Sequence, residues 1–251
     1  MSKVITICNQ KGGVGKTTTA MALAEGLNKN GYKTLLVDID PQGNATDTFN
    51  SETAKATIYE VIIEGEDIKE AVLSKDGIDF ISGDIRFCAA EKEMNDTGRE
   101  YALKKALSPI LENYEYVLID TPPSLGILLI NGLTAANEII IPLTADRYSL
   151  QGLRQLRETM EPVREYTNPN LMVMGLLLTK YKGREKLSQS VKNDLSEIEA
   201  MFESKAFNTT IRECVATREA QATKECLLSY APKSTTAQDY ADLTKEIIER
   251  S

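Results

Sequence analysis

Between Asn9 and Ala20 the chain reads NQKGGVGKTTTA, and these residue types at this spacing point to phosphate chemistry. Glycines at 12, 13 and 15 allow the backbone from Gly12 through Val14 to Lys16 to turn its N–H groups inward around an anion, aided by the positive end of a helix that follows. Lys16 is spaced to reach the β- and γ-phosphates of a nucleotide, and the Thr17 hydroxyl, followed by Thr18, to complete the coordination of a magnesium ion. The stretch departs from the G-x-x-x-x-G-K-[ST] pattern by placing Gln10 where the first glycine is expected, and it adds a second lysine, Lys11. Three carboxylates join this set. Asp38 and Asp40 stand in VDIDPQGN, where the chain must turn at Pro41, and Asp120 closes the apolar run YVLID.

Short apolar segments must hold these groups in place. Val4–Cys8, Lys33–Asp40, Gly77–Gly83, Tyr114–Thr121, Asn137–Leu143 and Asn170–Thr179 read as buried strands, and helical patterns lie between most of them. TTTAMALAEGLNKNG, directly after the glycine loop, suits a helix closing at Gly31. Strands alternating with helices predict an α/β fold: a mostly parallel, twisted sheet with helices on both faces and ligand loops at the carboxyl ends of the strands. No linker, internal repeat or low-complexity tract interrupts residues 1–251, so one domain is expected.

Composition narrows the chemistry further. The chain has no histidine, and Cys8, Cys88, Cys214 and Cys226 form no C-x-x-C pair, which argues against zinc and leaves reduced structural thiols. Neither a signal peptide nor an apolar run long enough for a bilayer is visible, so a cytoplasmic location is expected. The net charge of -8 disfavours nucleic acid as a partner of the whole surface. Residues 147–224, however, hold 13 basic and 10 acidic side chains against 16 and 27 in the remainder, which leaves room for a local basic surface.

KGGVGKTT, VDIDPQGNAT and VLIDTPPS together resemble the deviant Walker A ATPases of the P-loop NTPase class, and most closely the ParA/Soj partition family, over nearly the whole chain. The resemblance implies ATP and magnesium as ligands and a homodimer closed around ATP. Lys11 would then reach the partner's phosphates, as a cation supplied in trans stabilises charge on the transferred phosphoryl group. It also implies that Asp40 positions the attacking water, that Asp38 serves either the outer coordination sphere of magnesium or the structure, and that Asp120 faces magnesium through water. Thr121, Pro122 and Pro123 resemble a loop that senses the γ-phosphate. The base would lie near LLTKYK and FNTTIRE, without a named contact.

The late chain carries the expectation of a partner. TKYKGREKLSQSV resembles the family segment in which an arginine, here Arg184, is associated with non-specific DNA binding, and Lys180, Lys182 and Lys186 add charge beside it. In TTIRECVATREAQ, Ala216 replaces a family arginine, while Arg212 and Arg218 lie nearby, so the basic patch is expected to be rebuilt from those two. These features imply an ATP-dependent DNA partitioning ATPase released by a ParB-like centromere-binding adaptor, nucleoid-associated when ATP-bound. No separate amino-terminal DNA-reading domain is expected before the first strand. The alternative is a MinD-like membrane-positioning ATPase, but the terminal TTAQDYADLTKEIIERS is acidic and poor in large apolar residues, unlike a basic interfacial helix. An iron–sulfur relative would need a cysteine in DTPPSLGILLING, which has none.

Overall fold

The computed structural model describes residues 2–49, 55–89, 97–144, 149–181 and 189–250. Lys182, Arg184 and Lys186 lie outside the described residues. Seven strands are formed, β1 (Lys3–Ile7), β2 (Thr34–Asp38), β3 (Val72–Lys75), β4 (Ile78–Ile81), β5 (Tyr116–Asp120), β6 (Glu138–Thr144) and β7 (Met172–Thr179). They make one sheet in the order β3-β4-β2-β5-β1-β6-β7. Every pairing is parallel except β3 with β4. The register sets Asp120 of β5 level with Ile7 of β1 on one side and with Asp38 of β2 on the other. The glycine loop and both carboxylate-bearing segments therefore leave the sheet at one height, at the carboxyl ends of three adjacent strands.

The helices are α1 (Lys16–Lys29), α2 (Asn44–Phe49), α3 (Ile68–Ala71), α4 (Ala102–Leu107), α5 (Ile127–Ala135), α6 (Ser149–Pro162), α7 (Gln189–Phe202), α8 (Val215–Thr223), α9 (Leu227–Tyr230) and α10 (Thr235–Arg250). Side chains of β1 alternate between the two faces of the sheet. Ile5 and Ile7 pack with Leu23 and Leu27 of α1 and with Tyr240, Leu243 and Ile247 of α10. Val4 packs on the opposite side with Val37, Ile119, Leu103 and Leu128. A third cluster joins Ile139 and Ile141 of β6 to Leu153 and Leu156 of α6 and to Ile198 and Phe202 of α7. Burial on both faces explains why these strands read as continuous apolar runs.

The antiparallel edge strand β3 is absent from the sequence reading, which began a strand at Gly77. Its hairpin turns through Asp76 at φ 53 and Gly77 at φ 81, both in the left-handed region that a two-residue hairpin requires. Gly31, at φ 89, closes α1 as expected.

Helices α1 and α10 approach closely at Gly26. A Cβ there would stand 2.3 Å from Thr244 Oγ1 and 3.2 Å from Thr244 Cβ, too near for any rotamer of that threonine to relieve fully. Glycine inside a helix costs about 1 kcal/mol relative to alanine, so the close approach supplies the reason for its presence. Gly26→Ala is expected to destabilise the protein by about 1–2 kcal/mol through overpacking, net of its helix-propensity gain. Thermal unfolding should show a midpoint lowered by about 3–6 °C, and an unchanged or raised midpoint would contradict this packing.

Candidate nucleotide site

The glycine loop bridges β1 and α1 with Gly13 at φ 73 and Gly15 at φ 93. Gly15 caps α1 without any side-chain hydrogen bond, so the unpaired N–H groups of the first turn stay open to a ligand. The loop lines a cavity of about 400 Å³ together with Asp40, Pro123, Lys180, Arg212, Thr217, Arg218 and Tyr240. Gly12, Gly13, Val14, Gly15, Lys16, Thr17 and Thr18 all contribute, so the sequence-predicted loop residues are brought together. Lys11 is directed elsewhere. Its Nζ lies 3.4 Å from Thr144 Oγ1, at the end of β6.

Lys16 is buried, and burial lowers its pKa against the opposing pull of Asp120 and Asp40. Asp120 is fully buried, and burial, followed by repulsion from Asp38, raises its carboxyl well above the usual carboxylate range. The Thr17 hydroxyl acts on Asp120 in the lowering direction. It does not complete a hydrogen bond, however, and both Asp120 oxygens are left without a protein partner. Asp40 and Asp120 thus face one buried lysine, with Asp38 beside them, and the Asp120 carboxylate lies near the Thr17 hydroxyl. That donor set fits a magnesium ion held mainly by phosphates and water, with one or two protein groups assisting. Among the described residues no cluster of three His, Cys, Asp or Glu side chains forms an all-protein metal cage, in keeping with such a site.

The two carboxylates that follow β2 differ in kind. Asp38 Oδ1 accepts the Asp40 N–H at 3.0 Å, and Oδ2 accepts both the N–H and the hydroxyl of Thr46, at 2.9 and 2.7 Å. The Thr46 hydroxyl in turn accepts the Gly83 N–H at 2.8 Å. Of the alternatives open in the sequence, the geometry favours the structural one for Asp38: its oxygens fasten the turn that carries Asp40. Among the described residues Asp40 accepts only the Gln42 N–H, at 2.9 Å, and it lines the cavity.

Contacts from distant segments hold the site, and of the residues that make them only Thr121 and Pro123 are singled out in the sequence. Asn9 donates to Pro142 O at 2.6 Å and accepts the Lys11 N–H at 2.9 Å, tying the loop to β6. The Thr179 hydroxyl donates to Val14 O at 2.7 Å, and Tyr240 Oη lies 3.0 Å from Thr19 Oγ1 beneath the loop. Thr121 donates to Ile7 O at 2.8 Å, which anchors the start of the Thr121–Pro123 loop, and Pro123 reaches the cavity.

Arg212 requires a correction, and Arg218 does not share its setting. Arg212 precedes the helix that begins at Val215, whereas Arg218 lies within it, and both arginines line the nucleotide cavity. The Arg212 guanidinium is committed to Asp239, with Nε 2.9 Å from Oδ2 and an Nη 2.6 Å from Oδ1. It is a clasp between the 211–214 segment and α10, leaving little of its charge for an outside phosphate. Arg218 is exposed at the cavity mouth.

This fold and this loop define a P-loop ATPase. A family model described as an AAA domain matches residues 2–173. The chain is 40% identical over 252 residues to the sporulation initiation inhibitor protein Soj of Bacillus subtilis, covering 98% of each. It is 38% identical over 255 residues to the chromosome partitioning protein ParA of Caulobacter vibrioides, covering 99% of this chain and 94% of that one. Among solved structures, a Mycobacterium smegmatis protein named cobyrinic acid a,c-diamide synthase, with ADP and magnesium bound, superposes at a TM-score of 0.85 with 32% identity, covering 99% of this chain and 95% of that one. A putative plasmid partition protein from Borrelia burgdorferi bound to AMPPNP superposes at 0.84 with 26% identity over the full length of both. The chain belongs to the Soj/ParA family of chromosome-partitioning ATPases.

The Asp38–Thr46–Gly83 chain predicts a positioning role for Thr46. Thr46→Val removes the hydroxyl that both donates to Asp38 and accepts from Gly83, so kcat for ATP hydrolysis should fall by about tenfold, the equivalent of about 1.4 kcal/mol, while ATP affinity stays within about twofold. Thr46→Ser should restore turnover. Normal kcat in Thr46→Val would remove Thr46 from the catalytic arrangement.

Proposed function

We propose that the chain is a partition ATPase whose copies close in pairs around ATP, that the closed dimer binds DNA without regard to sequence, and that a ParB-like centromere-binding adaptor releases it by stimulating hydrolysis. The observation that carries this reading is the direction of Lys11. Lys16 serves its own phosphate loop, whereas the Lys11 ammonium leaves the cavity for the end of β6, near Thr144. That direction supports a reach of Lys11 to the phosphates of a second copy, where its charge would offset that gathering on the transferred phosphoryl oxygens.

Within one site, Asp40 is the catalytic carboxylate, because one of its oxygens carries no protein hydrogen bond while the other is fixed by Gln42. Thr17, with Asp120 acting through water, would hold magnesium, which when bound neutralises phosphate charge. Asp38 holds the turn. The loop residues from Gly12 to Thr18 would surround the triphosphate, with Lys11 turned toward the second copy.

DNA phosphates would be met by Lys182, Arg184 and Lys186, with Arg218 beside the cavity; Arg212 is reassigned to its clasp on Asp239. A dimer doubles whatever one copy presents, so a few contacts per copy suffice for binding that depends steeply on salt. The ATP-bound form would sit on the nucleoid and the ADP form in the cytoplasm. The membrane alternative is disfavoured by α10, whose Tyr240, Leu243 and Ile247 pack against α1 and the sheet and leave no free apolar face for lipid. Among the described residues no helix is long and apolar enough to cross a membrane.

Binding to a random-sequence duplex across a salt series tests the reading. ATP, and not ADP, should support binding, and Arg184→Ala should weaken it by about tenfold and flatten the salt dependence by about one to two phosphate contacts per dimer. Lys11→Ala should reduce ATP-dependent dimerisation. DNA binding indifferent to nucleotide, or ATP-dependent capture by anionic vesicles with none by DNA, would overturn it.

A further inference from the structure

Lys180 is the residue at which β7 ends, and its backbone stands at φ 52, in the left-handed region that a long unbranched side chain rarely adopts. Its two neighbours are anchored. Thr179 donates to Val14 O at 2.7 Å, and the Tyr181 N–H donates to Ile211 O at 3.0 Å. Along a strand successive side chains point to opposite faces, so Lys180 should turn away from the loop that Thr179 touches. The left-handed backbone breaks that alternation and brings both side chains to the same place: the Lys180 ammonium lies 4.0 Å from where a Cβ on Gly13 would stand. The ammonium is exposed, lines the cavity, and among the described residues takes part in no hydrogen bond or ion pair. A strained backbone that carries an uncommitted cation to the crest of the phosphate loop is the signature of a ligand contact.

We propose that Lys180 is a nucleotide-binding residue supplied in cis, whose ammonium meets the sugar–phosphate of the bound nucleotide above Gly13. It is a third lysine of the site, distinct from Lys16 inside the loop and from Lys11 at the rim. Because Gly13 belongs to the crest and not to the Lys16 end, the contact does not depend on the γ-phosphate, and ADP and ATP profit alike. The proposal rests on the nucleotide site described above.

Titration of fluorescent ADP and ATP into the full chain, at two salt concentrations, tests it. Lys180→Met keeps the length of the side chain and removes the charge, and should raise Kd for both nucleotides by about tenfold, with a shallower salt dependence. Lys180→Arg should stay within about threefold of the wild type, since it keeps the charge. Lys180→Gly separates the two halves of the inference: relieving the left-handed strain should raise the melting midpoint without nucleotide by about 2 °C, while affinity falls as in Lys180→Met. Unchanged Kd values in Lys180→Met and Lys180→Gly would overturn the proposal, as would a loss confined to ATP. Wild-type protein and Lys16→Ala serve as controls. Failure of the wild type to bind either nucleotide would sink the underlying site, whereas wild-type binding lost in Lys16→Ala with Lys180→Met unaffected would sink only the role of Lys180.

Discussion

An ammonium group and three carboxylates held out of water at one end of a sheet form an arrangement the protein cannot complete by itself. Lys16, Asp38, Asp40 and Asp120 are all buried, and Asp120 has no hydrogen-bond partner for either oxygen. Burying a carboxylate without a partner is costly, and burial with repulsion from Asp38 raises the Asp120 carboxyl well above the usual carboxylate range. The register of the sheet enforces this crowding. Strands β1, β2 and β5 end level with one another, and no side-chain rearrangement can move their last residues far apart without breaking the ladder.

The rest of the chain is bound to that arrangement by a few buried contacts from distant sequence. Thr179 reaches Val14, Tyr240 reaches Thr19, and the Gln221 amide donates to Thr18 Oγ1 at 3.2 Å. On the other side, Lys224 at the end of α8 pairs with Asp47 of α2 at 2.6 Å. That pair is exposed and contributes little to stability, but together with the Gln221 contact it places α8 between the glycine loop and the turn carrying Asp40.

Much of this was legible in the sequence because the chemistry is local. Glycines and lysines of one continuous loop specify a phosphate cradle, and apolar runs ending in aspartate specify strands with carboxylates at their tips. The illegible parts depend on contacts between distant segments. Nothing in TTIREC indicates that Arg212 is claimed by Asp239, 27 residues later, so its charge counted as free when it is not. Asp38 and Asp40 look alike in VDIDPQGN, and only the fold reveals that Thr46, itself held by the Gly83 N–H, occupies the first of them. The left-handed turn of Lys180 likewise has no glycine to announce it. The edge strand β3 is a different case, because Asp76–Gly77 between VLSK and IDFI is itself a hairpin signal in the sequence.

The central claim, that the orphaned Asp120 carboxylate is completed by the metal of a magnesium nucleotide, is tested most directly by calorimetric titration of ATP with and without magnesium, in wild type and in Asp120→Asn. The wild type should bind ATP more tightly with magnesium by at least about tenfold, and Asp120→Asn should lose most of that gain while binding metal-free ATP as well as or better than the wild type, since a buried negative charge has been removed. An undiminished magnesium gain in Asp120→Asn would contradict the account.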